Sequence, residues 1–370
     1  MKVHVFYNGW IANDHKSFTL GGVQTYLLNL SKVFDEMGYE FHYYRGSDID
    51  NEIIIQGVHV HEMAWKGRKH SIKKVFNHYK VMIDKQNDIV LFADDYISTN
   101  ALDYHSLSIQ HGIFWDVPLS KPVHYLKYLY FFLKKSKNAW VRMSHIRNVK
   151  YVVCVDYNFV NWFRAVFPYP ITQFRVIPNF APICEKVVKP TNRVNIIFAR
   201  RFELFRGTRV FGTAIKRVLK EYKNVYVTIA GWGPDEKWLH QQLDQYENVT
   251  FTEYSSFDSL NIHKDKHIAV VPTVGSEGTS LSMLEAMSAQ CAVVVSDVGG
   301  MTNVVVDGFN GRMVPAGDST KLYKALKDII DHPNIMKKYS ERGYETIKES
   351  LSYERWANDW KDVINTVKAL

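Results

Sequence analysis

Cysteine is scarce in this sequence, and its three residues, Cys154, Cys184 and Cys291, are widely scattered. An odd number at such spacings builds neither a disulfide framework nor a zinc site of the CxxC kind, and it fits a reducing compartment. Long apolar runs are missing too: Tyr125 to Leu133 is broken by Lys127 and followed by Lys134 and Lys135, well short of the ~18 apolar residues that a membrane-spanning helix takes. The chain opens on the strand-like Val3-His4-Val5-Phe6-Tyr7 with no charged-then-apolar leader, so a cytoplasmic protein is expected. There is no GxSxG elbow, no HExxH helix and no P-loop, which leaves serine hydrolysis, zinc proteolysis and P-loop ATP hydrolysis without a basis.

What is present is an ordinary globular composition, 46% hydrophobic and 23% charged over 370 residues, enough for two cores and more than one core usually holds. Short apolar runs alternate with stretches of helical period, the pattern of parallel strands joined by crossover helices. Strands are expected at Lys2–Tyr7, Glu40–Tyr44, Asp88–Ala93, Leu107–His111 and Tyr151–Val155, with a helix over Val23–Met37. A linker is expected over Phe174–Val188. A second series follows at Asn195–Ala199, Val225–Ala230, Val249–Thr252, His267–Val271 and Ala292–Val295, with helices at Thr208–Tyr222 and Ser280–Ser288. The fold class is therefore α/β: two doubly wound, Rossmann-like domains over 1–180 and 181–350, facing each other across a cleft. Residues 351–370 read as a terminal helix returning to the first domain.

In doubly wound domains ligands bind beyond the carboxyl ends of the strands, where tight turns and helix starts bring backbone N–H groups to phosphate. Gly21-Gly22 sits at such a helix start. The densest candidate is Thr273 to Met287, directly after an expected strand. Ser280 or Thr279 is its credible N-cap, and first-turn N–H groups there would hold a diphosphate without a metal. Glu277 and Glu285 would lie roughly 12 Å apart if one helix covered both, too far for a glycosidase pair at about 5–9.5 Å. A helix-start acid plus a salt-bridged Glu is the ordinary alternative. Arg200 and Arg206 flank a strand end before Gly207, where two cations would neutralise a leaving diphosphate; exposed surface arginines are the alternative. Gly231 and Gly233 make a sharp turn after another strand, His111 ends a strand of the first domain, and Asp94 and Asp95 are carboxylates at a further strand end.

In this order, the motifs resemble glycosyltransferase family 4, retaining nucleotide-sugar-dependent enzymes of the GT-B fold. Gly21-Gly22-Val23-Gln24 is similar to its GGV(E/Q) loop, Val176-Ile177-Pro178-Asn179 to VIPN, and Ala199-Arg200 with Arg206-Gly207 to GR…KG. Gly231-Trp232-Gly233-Pro234 resembles its GxGP turn, Glu277 to Glu285 its E-x7-E signature, Gly299-Gly300 its later GG, and Asp307 to Gly311 its DGxNG. Arg206 stands where the family usually has Lys, and Asn303 where many members have Glu. The resemblance implies that Glu277 binds sugar hydroxyls and Glu285 the ribose, while Gly278, Thr279, Ser280 and Leu281 hold sugar and diphosphate. It further implies that Arg200 and Arg206 stabilise the departing phosphates, Gly22 approaches the donor phosphate and His111 contacts the transferred sugar. No metal and no cofactor is expected beyond the nucleotide-sugar co-substrate, a UDP-sugar by family frequency. Asp94 and Asp95 are the carboxylates left to position an acceptor. A sugar-nucleotide epimerase of the same architecture is the rival enzyme.

The formal charge is +8, and residues 1–180 carry most of it, with 21 Lys/Arg against 15 Asp/Glu. Met63 to Ile83 holds Lys66, Arg68, Lys69, Lys73, Lys74 and Lys80 with no acid, and Lys121 to Lys150 interleaves basic residues with Tyr125, Tyr128, Tyr130, Phe131, Phe132 and Trp140. Such segments suit a peripheral anionic membrane surface, with Lys66, Lys69, Lys73 and Lys74 as contacts. A basic face over a core-facing aromatic stripe is the alternative. The expected acceptor is a glycan, lipid-linked as in bacterial surface-polysaccharide or glycolipid synthesis; a soluble small-molecule or protein acceptor is the alternative, and nucleic acid is not expected.

Overall fold

The computed structural model describes every residue except 20, 66–70, 114–123, 168–172, 186, 256–257 and 276. Two compact units result, one of Met1–His111, Val123–Ile177 and Trp356–Leu370, the other of Gly112–Pro122 and Pro178–Arg355.

The first unit is built on β1 (Lys2–Phe6), β2 (Glu40–Ser47), β3 (Asn51–Ile55), β4 (Val58–Ala64), β5 (Ile89–Phe92), β6 (His105–Gln110), β7 (Tyr151–Cys154) and β8 (Phe174–Val176). Their order is β3-β4-β2-β1-β5-β6-β7-β8, parallel throughout except for the β3–β4 hairpin. Central strands such as β5 are buried on both faces, hence the near-continuous apolar runs that made them legible. Helices α1 (Gly22–Glu36), α2 (Ile72–Tyr79), α3 (Tyr125–Ile146) and α4 (Tyr157–Val166) make the crossovers. The hairpin was not foreseen: Gln56 and Gly57, at φ 51° and 83°, close it in the left-handed geometry such two-residue turns require, but an edge strand with half-exposed residues gives little pattern. Nor was β8, three residues inside the expected linker.

The terminal helix, Tyr353–Ala369, buries Trp356, Trp360, Val363, Ile364 and Val367. In the first unit Trp360 Nε1 donates to the Tyr26 hydroxyl at 2.8 Å, and Arg175 pairs with Asp359 at 2.9 Å. Helix α3 behaves differently. Only Ala139, Arg142, Met143 and Ile146, in its last turns, are buried, whereas Tyr125, Leu126, Tyr128, Tyr130, Phe132 and Leu133 are all more than half exposed. A core-facing aromatic stripe is thereby overturned.

The second unit carries β9 (Val194–Ala199), β10 (Val225–Ala230), β11 (Val249–Thr252), β12 (Ile268–Val271), β13 (Ala292–Ser296) and β14 (Arg312–Val314), in the order β11-β10-β9-β12-β13-β14 and all parallel. Alternate residues serve opposite cores. Ile196 and Phe198 pack with α5 (Thr208–Glu221), α6 (Glu236–Leu243) and α8 (Ser319–Asp331), Ile197 and Ala199 with α7 (Leu281–Ser288) and α9 (Pro333–Ser350). Chain order reverses between β9 and β12, the crevice where such sheets bind ligands.

Candidate functional site

Arg200 leaves β9 and Thr273 to Glu277 leave β12, so the reversal of strand order brings them together. The Arg200 guanidinium donates through Nη2 to both Glu277 carboxylate oxygens, at 2.5 and 2.6 Å, and through Nη1 to Thr273 Oγ1 at 2.5 Å. Thr273 Oγ1 in turn donates to Glu277 Oε2 at 2.5 Å, and Arg206 Nη1 lies 2.8 Å from Oε1. Burial opposes the charge on Glu277, but the two guanidiniums outweigh it and hold its carboxyl down at about 2. Two cations and one anion leave a net positive centre. Arg200 is almost buried, while Arg206 keeps a third of its side chain exposed.

Glycines bring these loops into contact. Gly231 (φ 133°) and Gly233 (φ 154°) lie against the backbone of Arg200 and Phe202, where an added Cβ would meet Arg200 O at 2.1 Å and Phe202 O at 2.6 Å. Their turn accepts the Phe202 N–H on Trp232 O at 2.8 Å, so it holds Arg200 in place. Gly207 (φ 79°) rests on the Pro272 carbonyl, with 1.8 Å to a notional Cβ, which lets Arg206 approach Glu277. Gly299 and Gly300 underlie the loop, the Gly300 N–H donating to Glu277 O at 2.7 Å. Asn179 ties the same loop from its other end, its Nδ2 donating to Thr279 O at 2.7 Å.

Helix α7 begins at Leu281, so it does not cover Glu277, and the 12 Å helical separation does not apply. Ser280 occupies the N-cap position without a side-chain cap hydrogen bond; its hydroxyl contacts Ser282 Oγ at 3.3 Å. Thr279 and Ser280 have buried side chains, so Gly278 to Leu281 can offer a ligand backbone N–H groups at a helix start rather than hydroxyls. Glu285, one turn into α7, accepts from Ser259 Oγ at 2.7 Å. Burial pushes its carboxyl up to about 7, against the pull of that hydrogen bond. A carboxyl with a raised value stabilises the fold below the unfolded value, near 4.5, and that advantage is lost as pH rises through about 7. Glu285→Gln should therefore be more stable than the native protein at pH 8, by on the order of 2 kcal/mol, and equal to it near pH 4. Urea unfolding at the two pH values measures this; a gap independent of pH would refute it.

In the first unit, Gly22 is the first residue of α1, just beyond the loop that leaves β1. His111 follows β6, its Nε2–H donating to Ala93 O at 2.9 Å and its ring standing edge-on to Tyr26 at 5.3 Å. Burial lowers its pKa, leaving Nδ1 of the neutral ring as an acceptor. Asp94 caps a short turn by accepting from Tyr96 N at 3.0 Å. Asp95 is fully buried, 3.5 Å from Arg142 Nη1, and burial holds its carboxyl well above the ordinary range. Of this pair, then, Asp94 alone presents a carboxylate to solvent, and the expectation that Asp95 contacts an acceptor is corrected. Lys73 and Lys74 are exposed on α2, with Lys74 Nζ 3.5 Å over the Trp65 ring; Lys66 and Lys69 lie outside the described residues. Sequence reasoning gave no role to Thr273 or Ser259, since single hydroxyl residues carry no spacing signal.

Residues 180–346 match the family model described as glycosyl transferases group 1. Phosphatidyl-myo-inositol mannosyltransferase of Mycobacterium leprae is 27% identical over 155 residues, 41% of this chain and 41% of that protein. The chain spans less than half the length of the curated relatives it matches. Among solved structures, sucrose-phosphate synthase from Thermosynechococcus elongatus aligns over 100% of this chain and 99% of its own at TM-score 0.78 and 15% identity. Anabaena HepE in complex with UDP aligns over 99% and 100%, at TM-score 0.71 and 14% identity. The fold is thus that of these proteins, and the family match lies in the second unit.

Proposed function

We propose that this protein is a retaining glycosyltransferase of family 4 type that takes a hexose-type sugar from a nucleoside-diphosphate sugar. The observation that carries this is the Arg200–Glu277–Arg206 centre beside the uncapped start of α7, at the reversal of strand order. A net positive pair of guanidiniums and first-turn N–H groups suits a diphosphate, and the match of residues 180–346 to group 1 glycosyl transferases supports the same reading. Glu285, once ionised, suits ribose hydroxyls at the far end of the nucleotide. UDP-sugars are the first donors to try, since HepE was solved with UDP.

Glu277 is no nucleophile in this reading, because Arg200, Arg206 and Thr273 occupy its oxygens. Retention then runs on one face of the sugar: the acceptor oxygen bonds to the anomeric carbon as the bond to the diphosphate breaks, and a departing phosphate oxygen takes the acceptor proton. Arg200 and Arg206 stabilise the charge that builds on that phosphate. Asp94 is the carboxylate that would orient the acceptor hydroxyl. For the acceptor, a lipid-linked glycan at an anionic surface is supported by the exposed aromatic and lysine residues of α3 and by Lys73 and Lys74 on α2. Among the described residues no helix is long and apolar enough to cross a membrane.

Thermal shift with UDP-, GDP- and ADP-sugars, followed by product analysis with acceptor lipid in anionic and in neutral vesicles, tests the proposal. One nucleotide series should stabilise the protein, by about 2.7 kcal/mol at one hundred times its Kd, and sugar should move to lipid faster in anionic vesicles. If no nucleotide-sugar shifts the transition, the donor reading fails. If the sugar is returned as its epimer, the enzyme is an epimerase; transfer only to water-soluble acceptors rejects the lipid.

A further inference from the structure

Within the first unit, His111 is held in place by more than its own backbone. It follows the last residue of β6, and the Gln110 carbonyl beside it accepts from Val155 N at 3.1 Å, which ties that stretch into the sheet. Its Nε2–H donates to Ala93 O at 2.9 Å. The Tyr26 ring of α1 stands at 89° to the imidazole, with 5.3 Å between centroids. Around Tyr26 in turn stand Trp356 and Trp360 of the terminal helix, edge-on to it at 5.2 and 6.1 Å. We infer that Tyr26, clamped by these two tryptophans, is a positioning residue that fixes the plane of the His111 ring so that Nδ1 meets a hydroxyl of the transferred sugar.

The two contacts of the imidazole do different work. A backbone carbonyl can only accept, so the bond to Ala93 O puts the hydrogen on Nε2 and leaves the lone pair on Nδ1. One hydrogen bond does not fix a plane, because the ring can still pivot about it. Tyr26 removes that freedom, since a perpendicular aromatic pair at this separation is attractive as well as space-filling. The clamp on Tyr26 is itself firm. Its ring is buried, its hydroxyl accepts from Trp360 Nε1 at 2.8 Å, and Trp356 and Trp360 are almost wholly enclosed.

Plain core packing accounts for part of this arrangement: a buried phenol and a buried indole N–H need each other. It does not account for the remaining side of Tyr26 being given to an imidazole whose Nδ1 has no partner among the described residues. Tyr26 also lies four residues from Gly22, the first residue of α1, and so one turn along the same face. The helix start expected to approach the donor phosphate thus carries the ring that orients His111. The inference rests on the glycosyltransferase reading for the group that Nδ1 meets, and on contacts within the first unit alone for the fixing of the ring.

Long-range proton–nitrogen NMR of histidine-labelled protein tests that fixing without any substrate. The His111 signals, assigned by their loss in His111→Gln, should show a single Nε2–H tautomer in the native protein and in Tyr26→Phe, which keeps the ring. In Tyr26→Leu, which keeps the space filled but loses the aromatic partner, they should broaden or move toward mixed tautomers. Sugar transfer is then measured with whichever of UDP-, GDP- and ADP-glucose the native enzyme uses. Tyr26→Leu should lower kcat by ~10- to 100-fold, since misplacement by about 1 Å can cost that much. The Kd of the matching nucleoside diphosphate, which has no sugar to meet His111, should stay within ~3-fold, and Tyr26→Phe should keep kcat within ~3-fold although it melts lower. His111 signals unchanged in Tyr26→Leu would overturn the inference, as would a kcat that Tyr26→Leu leaves intact or that Tyr26→Phe lowers equally. Melting curves verify that the variants are folded. Should none of the three donors be used, the transferase reading fails, and the spectra still decide whether Tyr26 fixes the ring.

Discussion

Glu277→Ala is expected to abolish sugar transfer and to destabilise the protein by about 3–5 kcal/mol, the usual cost of removing one partner from a buried ion pair. The carboxylate accepts from Arg200 twice, from Arg206 and from Thr273, and Arg200 is too buried to find water in its place. Arg200→Ala should also be severe, but Glu277 would keep Arg206 and Thr273. Because each single change strands the other partner, the double variant should cost less than the two singles together, by about 1–3 kcal/mol. Urea unfolding of the four proteins yields that coupling, and additive costs would mean that the pair is not an energetic unit. The pH dependence follows the same geometry. A carboxyl held down at about 2 stabilises the fold fully above its unfolded value near 4.5, and the contribution is lost as pH falls through about 2. The native protein should therefore lose its advantage over Glu277→Ala on acidification.

Gly299→Ala should come next in size, without touching any charged group. At φ 58° a side chain is already disfavoured, and its Cβ would stand 2.0 Å from the Glu277 carbonyl oxygen. Left-handed geometry contributes about 1–2 kcal/mol and the clash about 1–3 kcal/mol more. The loop that presents Glu277 and Gly278 must move by more than 1 Å to relieve such an overlap, so donor affinity should fall with stability. Gly308→Ala is the matched control: φ is 74°, but nothing lies within 4 Å of its Cβ, and only the conformational penalty applies. Unfolding and nucleotide-sugar titration of both variants decide the matter. Equal losses at the two positions would show that contact with the Glu277 loop contributes nothing.

Much of the second unit could be read from the sequence, because strands buried on both faces need continuous apolar runs such as Val225–Ala230 and Ala292–Ser296. The same physics hid the β3–β4 hairpin, whose edge strand β3 alternates between half-exposed and exposed positions. At the site, Arg200, Arg206 and Glu277 were picked out by residue type and strand-end position. Their mutual bonding was not, since Arg200 and Glu277 are 77 residues apart and no local pattern records a contact at that separation. The resemblance assigned Glu277 to sugar hydroxyls and the arginines to phosphates; in the structure these three groups are first of all partners of one another. The turn glycines show the converse. Gly231 and Gly233 read as ligand-facing, yet their nearest neighbours are the Arg200 and Phe202 backbones.

By itself the sequence determined the chain's two-part α/β character, the succession of most strands, and which charged residues end up beyond their carboxyl ends. Those properties are local: hydrophobic period and turn chemistry act over a few residues, and strand ends follow from them. Only the tertiary structure decided which ends become neighbours. By inserting β12 beside β9 it joined Arg200 to Glu277, by burying Asp95 it removed one of two adjacent carboxylates from solvent, and by returning the terminal helix to the first unit it set Trp360 against Tyr26. Strand order fixes contacts between residues far apart in the chain, and the energy that selects one order is spread over whole sheet faces rather than written in any one segment.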